Sequence, residues 1–107
     1  MSITVNLYYT GKNGSARCFA EEMERSGTAD EIRREKGNLR YEYFFPMNHK
    51  ETVLLIDSWE NQESIDNHHS SHMMEKIAYL REKYDLHVRA ERFVSEELPQ
   101  KDKGFLR

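Results

Sequence analysis

The apolar run Val53-Leu54-Leu55-Ile56 constrains this chain more than any other stretch. Four such residues make one buried strand and fall short of a core helix. The run leads into Asp57-Ser58-Trp59, which holds the only tryptophan. Asn61 then offers a helix N-cap, with Glu63 in the first turn where a carboxylate favours the helix dipole. Behind it, His68, His69 and His72 gather three of the five histidines into five residues. Met73, Ile77, Leu80 and Tyr84 follow at helical spacing and close a strand-helix unit. Any functional site is expected in this unit.

The rest of the chain supplies matching elements. Ile3, Val5, Leu7 and Tyr9 alternate with Thr4, Asn6 and Tyr8, the period of a strand with two different faces. Thr10-Gly11-Lys12-Asn13-Gly14 makes a turn, and Ser15 is placed to cap a helix with Ala16, Phe19, Ala20 and Met23 on one stripe. That helix ends near Ser26-Gly27. Thr28 and Glu31 have the spacing of a capping box for a second helical piece, which carries Ile32 inward and presents Arg33, Arg34 and Lys36 outward. Leu39 to Phe45 reads as the second strand, ended by Pro46, and Thr52 to Ser58 as the third. Leu86 to Phe93 makes the fourth, with Leu86, Val88 and Ala90 on one side. The order β-α-β-β-α-β predicts an α+β, ferredoxin-like antiparallel sheet with helices on one face, over residues 1–94. Residues 95–107 form a polar C-terminal tail, in which Phe105-Leu106 could dock on a neighbouring surface. If Tyr8, Arg40, Phe44 or Arg89 lie on the face without helices, that face is too aromatic for open solvent and too polar for a dry core. A second subunit laid sheet to sheet would cover it, which predicts a homodimer.

Bulk properties narrow the function classes. With 107 residues, 37% of them apolar and 33% charged, the chain is one domain with a thin core. A net charge of −3 gives no electrostatic reason to expect nucleic acid or an anionic membrane as partner. The single Cys18 suits a reducing cytoplasm. There is no glycine-rich phosphate loop, nucleophile elbow or CxxC pair. Histidines one turn apart can bind zinc, but no nearby cysteine or acidic residue completes an obvious ligand set, so no metal is predicted.

The block from Val53 to His68 resembles the signature of the antibiotic biosynthesis monooxygenase domain: an apolar strand, a tryptophan, a polar turn, a helix start and a histidine nine residues after the tryptophan. His72 sits where that family often has a second histidine. Upstream, Ile32 to Tyr41 is similar to the family's R-x-E-x-G-x-x-x-Y passage, with Glu35, Gly37 and Tyr41 in register. The resemblance covers roughly Ile3 to Phe93. It implies a dimeric α+β barrel and, in several members, oxidation of quinols, anthrones or similar electron-rich aromatics by molecular oxygen with no flavin or metal. The haem-degrading branch has an asparagine on the first strand, a tryptophan in the helix after the third and a histidine about three turns further on. Asn6 matches the first, His68 occupies the tryptophan's place, and no histidine stands near Ala78-Tyr79. Haem is therefore disfavoured.

Oxygenation without a cofactor needs a water-excluding pocket, a base that makes the aromatic an electron-rich anion, and donors that hold the anion. The expected assignment is His68 as acid/base, Asn6 as donor to a substrate oxygen, and Trp59 and His72 as substrate-binding walls. His68 and His72 share a face only if their helix is continuous. The alternatives are a non-enzymatic ligand-binding or structural homodimer of the same fold, and an isomerase-type enzyme on a small metabolite. An aromatic-lined cavity would favour oxygenation, a filled one the binding dimer, and one with several Arg or Lys the isomerase.

Overall fold

The structure, a computed structural model, describes residues 1–106. Its elements follow in the order β1 (Ile3–Thr10), α1 (Ser15–Arg25), α2 (Thr28–Arg33), β2 (Asn38–Phe44), β3 (Thr52–Trp59), α3 (Gln62–His69), α4 (Met73–Lys83), β4 (His87–Val94) and the single turn α5 (Gln100–Lys103). The four strands make one antiparallel sheet in the order β2-β3-β1-β4, the ferredoxin-like arrangement. All the helices that pack on the sheet cover one face.

The register lays out that face in rows. Tyr43, Leu55, Leu7 and Ala90 form one row across the four strands, and Tyr41, Asp57, Val5 and Arg92 the next. Period-two alternation puts both rows on the helix side, where Tyr9, Val53, Leu55 and Trp59 are buried. Against them α1 lays Ala16, Phe19, Ala20 and Met23, and α4 lays Met73, Ile77 and Leu80. The opposite face carries Arg40, Ser58, Thr4 and Phe93 in one row, Glu42, Ile56, Asn6 and Glu91 in the next, then Phe44, Leu54, Tyr8 and Arg89. No helix among the described residues packs on it.

Three local expectations change in the structure. The helix after β3 is not continuous: it breaks at Ser70, whose N–H bonds back to the carbonyls of Asp66 and Asn67, and restarts at Met73. Neither Ser15 nor Thr28 is a cap. Gly14 and Gly27 take the N-cap positions, while Glu51 accepts hydrogen bonds from the Asn13 and Gly14 N–H groups, and Thr28 turns inward to Ser26. Arg33 is not a solvated helix residue either. Its guanidinium donates to Glu24 and Asp30, and its Nε donates to the Tyr41 carbonyl at 2.8 Å, tying α2 to α1 and β2. Asn61, by contrast, caps α3 as its position suggests, its Oδ1 accepting from the Ser64 N–H at 2.9 Å.

The helices stop short of β4. All eight β4 residues are exposed, and Val5 and Leu7 beside it are only half-buried. Val5, Leu7, Val88 and Ala90 thus form an apolar shelf at the margin of the helix layer, with Arg92 on it.

Gly37 closes the α2–β2 turn at φ +87°, and a Cβ there would stand 2.0 Å from Ser64 Oγ and 2.6 Å from Ser64 Cβ. Gly14 has a similar φ of +81° but open space around it. Gly37→Ala should therefore cost at least about 2 kcal/mol in urea denaturation, against about 1 kcal/mol for Gly14→Ala, which carries only the left-handed backbone term. Equal losses would show that α3 yields to the added methyl.

Candidate functional site

Three of the buried polar residues, Asp57, Ser64 and His68, come together where β3 meets α3. Trp59, 1% exposed, ends β3 on the helix side and its indole lies against His68, ring centroids 4.8 Å apart and 29° between planes. His68 is buried because Ser64, Ile65 and His68 form the inward stripe of α3. Its Nδ1–H donates to Glu35 Oε1 at 2.9 Å; the carboxylate can only accept, which assigns that proton. Its Nε2 makes no hydrogen bond among the described residues. On the other side of the indole, Trp59 Nε1–H donates to Asp57 Oδ1 at 2.6 Å. Glu35, His68, Trp59 and Asp57 therefore form one continuous chain of contacts from the α2–β2 turn to the centre of the sheet.

Asp57 is the unexpected member. It is 7% exposed and has Tyr41 on one side and Val5 on the other, on the row that ends in Arg92. Burial pushes its carboxyl up to about 7; the indole hydrogen bond opposes that rise and the charge of Glu35 adds to it. Desolvation also raises the phenols of Tyr9, Tyr41 and Tyr43 above their ordinary range, and the charge of Asp57 adds to each. An acid displaced to neutral pH at the margin of an apolar shelf is a candidate proton-transfer group. The sequence carried a signal for it: Val53, Leu55, Asp57 and Trp59 alternate on one face. Treating Val53 to Ile56 as one apolar run hid that parity.

The expected site residues do not all meet. Trp59 and His68 are in contact. Asn6 lies on the sheet face away from the helices, opposite Ile56 and Glu91, so it cannot join His68 within one subunit. Its Oδ1 is buried there with no donor. His72 stands apart as well. The break at Ser70 turns it out of the face that holds His68, its side chain is 72% exposed, and its nearest charged partner is Glu31 at 3.7 Å. His69 is exposed, as expected. None of the larger surface hollows is lined by Asp57, Trp59 or His68. Among the described residues no three His, Cys, Asp or Glu side chains are grouped as a metal site requires.

A ferredoxin-like sheet with one helix-covered face and buried polar groups on it defines a small α+β domain class. The sequence model of the antibiotic biosynthesis monooxygenase family matches residues 2–79, and the chain belongs to that family. Solved structures share its fold. SnoaB, a cofactor-independent oxygenase from Streptomyces nogalater, is 14% identical, with a TM-score of 0.75 over 92% of this chain and 97% of its own. A conserved protein from Methanosarcina mazei Go1 is 18% identical, with a TM-score of 0.77 over 90% and 94%. PA3566 from Pseudomonas aeruginosa is 16% identical, with a TM-score of 0.76 over 90% and 95%. No curated protein matches the chain by sequence.

Asp57 makes stability depend on pH. Below about pH 4 the carboxyl is protonated in both folded and unfolded chains. As pH rises towards 7 the unfolded chain ionises while the folded chain holds its proton, so stability falls, by up to about 4 kcal/mol, and levels off above 7. Asn at this position can still accept the indole hydrogen bond without titrating. Asp57→Asn should gain stability on wild type between pH 4 and 8, measured as denaturation midpoints against pH. Parallel curves would mean that Asp57 titrates in the folded protein as it does in the unfolded chain.

Proposed function

We propose that this protein is a monooxygenase that uses no cofactor and oxidises an electron-rich, quinol-like aromatic with molecular oxygen. The observation that carries the reading is the Asp57 carboxyl, raised to about 7 beside the half-buried Val5, in a member of this family. SnoaB, which shares the fold, is a cofactor-independent oxygenase.

In this reading the aromatic lies on Val5, Leu7 and Ala90, with the indole of Trp59 as its inner wall. Asp57 takes a proton from the substrate, leaving an electron-rich anion, and the Arg92 guanidinium at the end of the row holds the developing negative oxygen. Electrons pass from the anion to dioxygen. For a ring methylene the balance closes without an external reductant: one oxygen atom becomes the carbonyl, and the other leaves as water with the two hydrogens. His68 is a positioning residue, because Glu35 holds its Nδ1 and its ring holds the Trp59 indole. Asn6 and His72 have no part in this site.

A homodimer belongs to the same proposal. The uncovered face presents Leu54, Ile56, Phe44 and Phe93, an apolar and aromatic surface that suits a second copy laid over it. The exposed lone thiol of Cys18 suits a cytoplasmic setting, and no helix of the described residues is long and apolar enough to cross a membrane.

One observation favours a second reading, a ligand-binding or structural dimer without turnover: the surroundings of His68 are filled. Oxygen uptake by metal-stripped protein over a panel of quinols and anthrones separates the two. Wild type should consume oxygen, and Asp57→Asn should lose at least about 100-fold in kcat while keeping or gaining stability. His68→Ala should lower uptake and stability together. Uptake unchanged in Asp57→Asn would remove Asp57 as the base, and silence of wild type across the panel would favour the binding dimer.

A further inference from the structure

A hollow outside the Asp57 layer lies on the opposite side of the sheet, at the end where β1 stops and β3 and β4 begin. It measures about 440 Å³ and is lined by Tyr8, Thr10, Thr52, His87, Val88 and Arg89, with Pro46 and His49 of the β2–β3 hairpin at its side. That volume falls in the range of sites for small organic ligands.

The lining has a definite chemistry. Thr10, Thr52 and His87 occupy one register row, and the next holds Tyr8 and Arg89. Thr10 Oγ1 and Thr52 Oγ1 are hydrogen-bonded at 2.9 Å and brace the floor. The Arg89 guanidinium lies over the Tyr8 ring, its carbon 4.0 Å from the ring centroid, which orients the fork of N–H donors. His49 and His87 add imidazole N–H donors. In a chain with 19 acidic and 16 basic residues, no Asp or Glu lines this hollow. Two carboxylates come near. Glu51, on the hairpin, is occupied by the Asn13 and Gly14 N–H groups. Glu91 meets one Arg89 nitrogen at 3.4 Å, longer than a tight ion pair, and leaves the other nitrogens of the fork uncommitted.

We infer that this hollow is a binding site for an aromatic carboxylate, whose anion meets Arg89, His49 and His87 while its ring packs against Tyr8 and Pro46. A planar two-oxygen anion matches a guanidinium fork in both number and direction of donors. The site lies on the rim of the face assigned to the homodimer and touches the shelf only at its outermost residue, Val88; Asp57, Val5, Leu7 and Ala90 take no part in it, so it stands or falls independently of the oxygenase reading.

Benzoate and inorganic phosphate are the probes, titrated into the full-length protein by calorimetry and by chemical-shift mapping, with sedimentation run alongside. Benzoate should bind saturably and shift the resonances of Tyr8, His49 and His87, and phosphate should bind at least tenfold more weakly. Arg89→Gln should weaken benzoate at least tenfold and His87→Gln severalfold, both with an unchanged sedimentation coefficient. Asp57→Asn should bind benzoate as wild type does. The inference is overturned if benzoate does not saturate, if Arg89→Gln binds within twofold of wild type, or if Asp57→Asn loses binding, since that would map the ligand to the other face. Phosphate binding as tight as benzoate would overturn the aromatic class, and binding lost together with the dimer would reassign Arg89 to subunit contact.

Discussion

The hydrogen bond from His68 to Glu35 ties the last turn of α3 to the turn between α2 and β2, 33 residues earlier in the chain. The same turn is clamped twice more against the start of α3: Gly37 presses on Ser64, and the Gly37 carbonyl accepts the Glu60 N–H at 2.8 Å. Removing Glu35 would leave the Nδ1–H of the buried His68 unpaired, which costs more than the hydrogen bond itself returns. The bond also fixes the imidazole plane, and that plane fixes Trp59. Through Trp59 the constraint reaches Asp57 and the middle of the sheet.

This arrangement gives physical content to the R-x-E-x-G-x-x-x-Y passage. Arg33 pins the Tyr41 carbonyl, Glu35 holds His68, Gly37 admits the first turn of α3, and Tyr41 is buried beside Asp57. Each position in the pattern is explained by how β2 and α3 seat against one another. The passage therefore marks the architecture of the fold, and the chemistry has to be sought in what that architecture leaves half-covered.

The fold was largely legible because it rests on periodicity. Alternation in β1 and β2, the stripe of α1 and the order of elements are local signals, and the sheet follows from them. The site was less legible because it depends on parity and on one break. Whether Asn6 or Val5 faces the helices turns on a single residue of register, and nothing local to β1 decides it; burial of Tyr9 and Ile3 does. His72 was lost to the hydrogen bonds that end α3 at Ser70, where serine competes with the helix for backbone groups. The caps at Gly14 and Gly27 show the same limit: a suitable serine or threonine was present next door, but the glycines took the left-handed positions.

What remains to be explained is why a carboxyl should stand on the helix side of β3 at all. The indole N–H of Trp59 needs an acceptor, but a neutral amide or hydroxyl would satisfy it without the desolvation that lifts Asp57 to about 7. The apolar neighbours in its row and the next, Val5, Leu55 and Leu7, offer the carboxyl no further hydrogen bond. A hydrogen-bonding role alone therefore does not account for an ionisable group. The proton transfer proposed above would: Asp57 stands beside the half-buried Val5, where the covered part of the sheet passes into the open shelf.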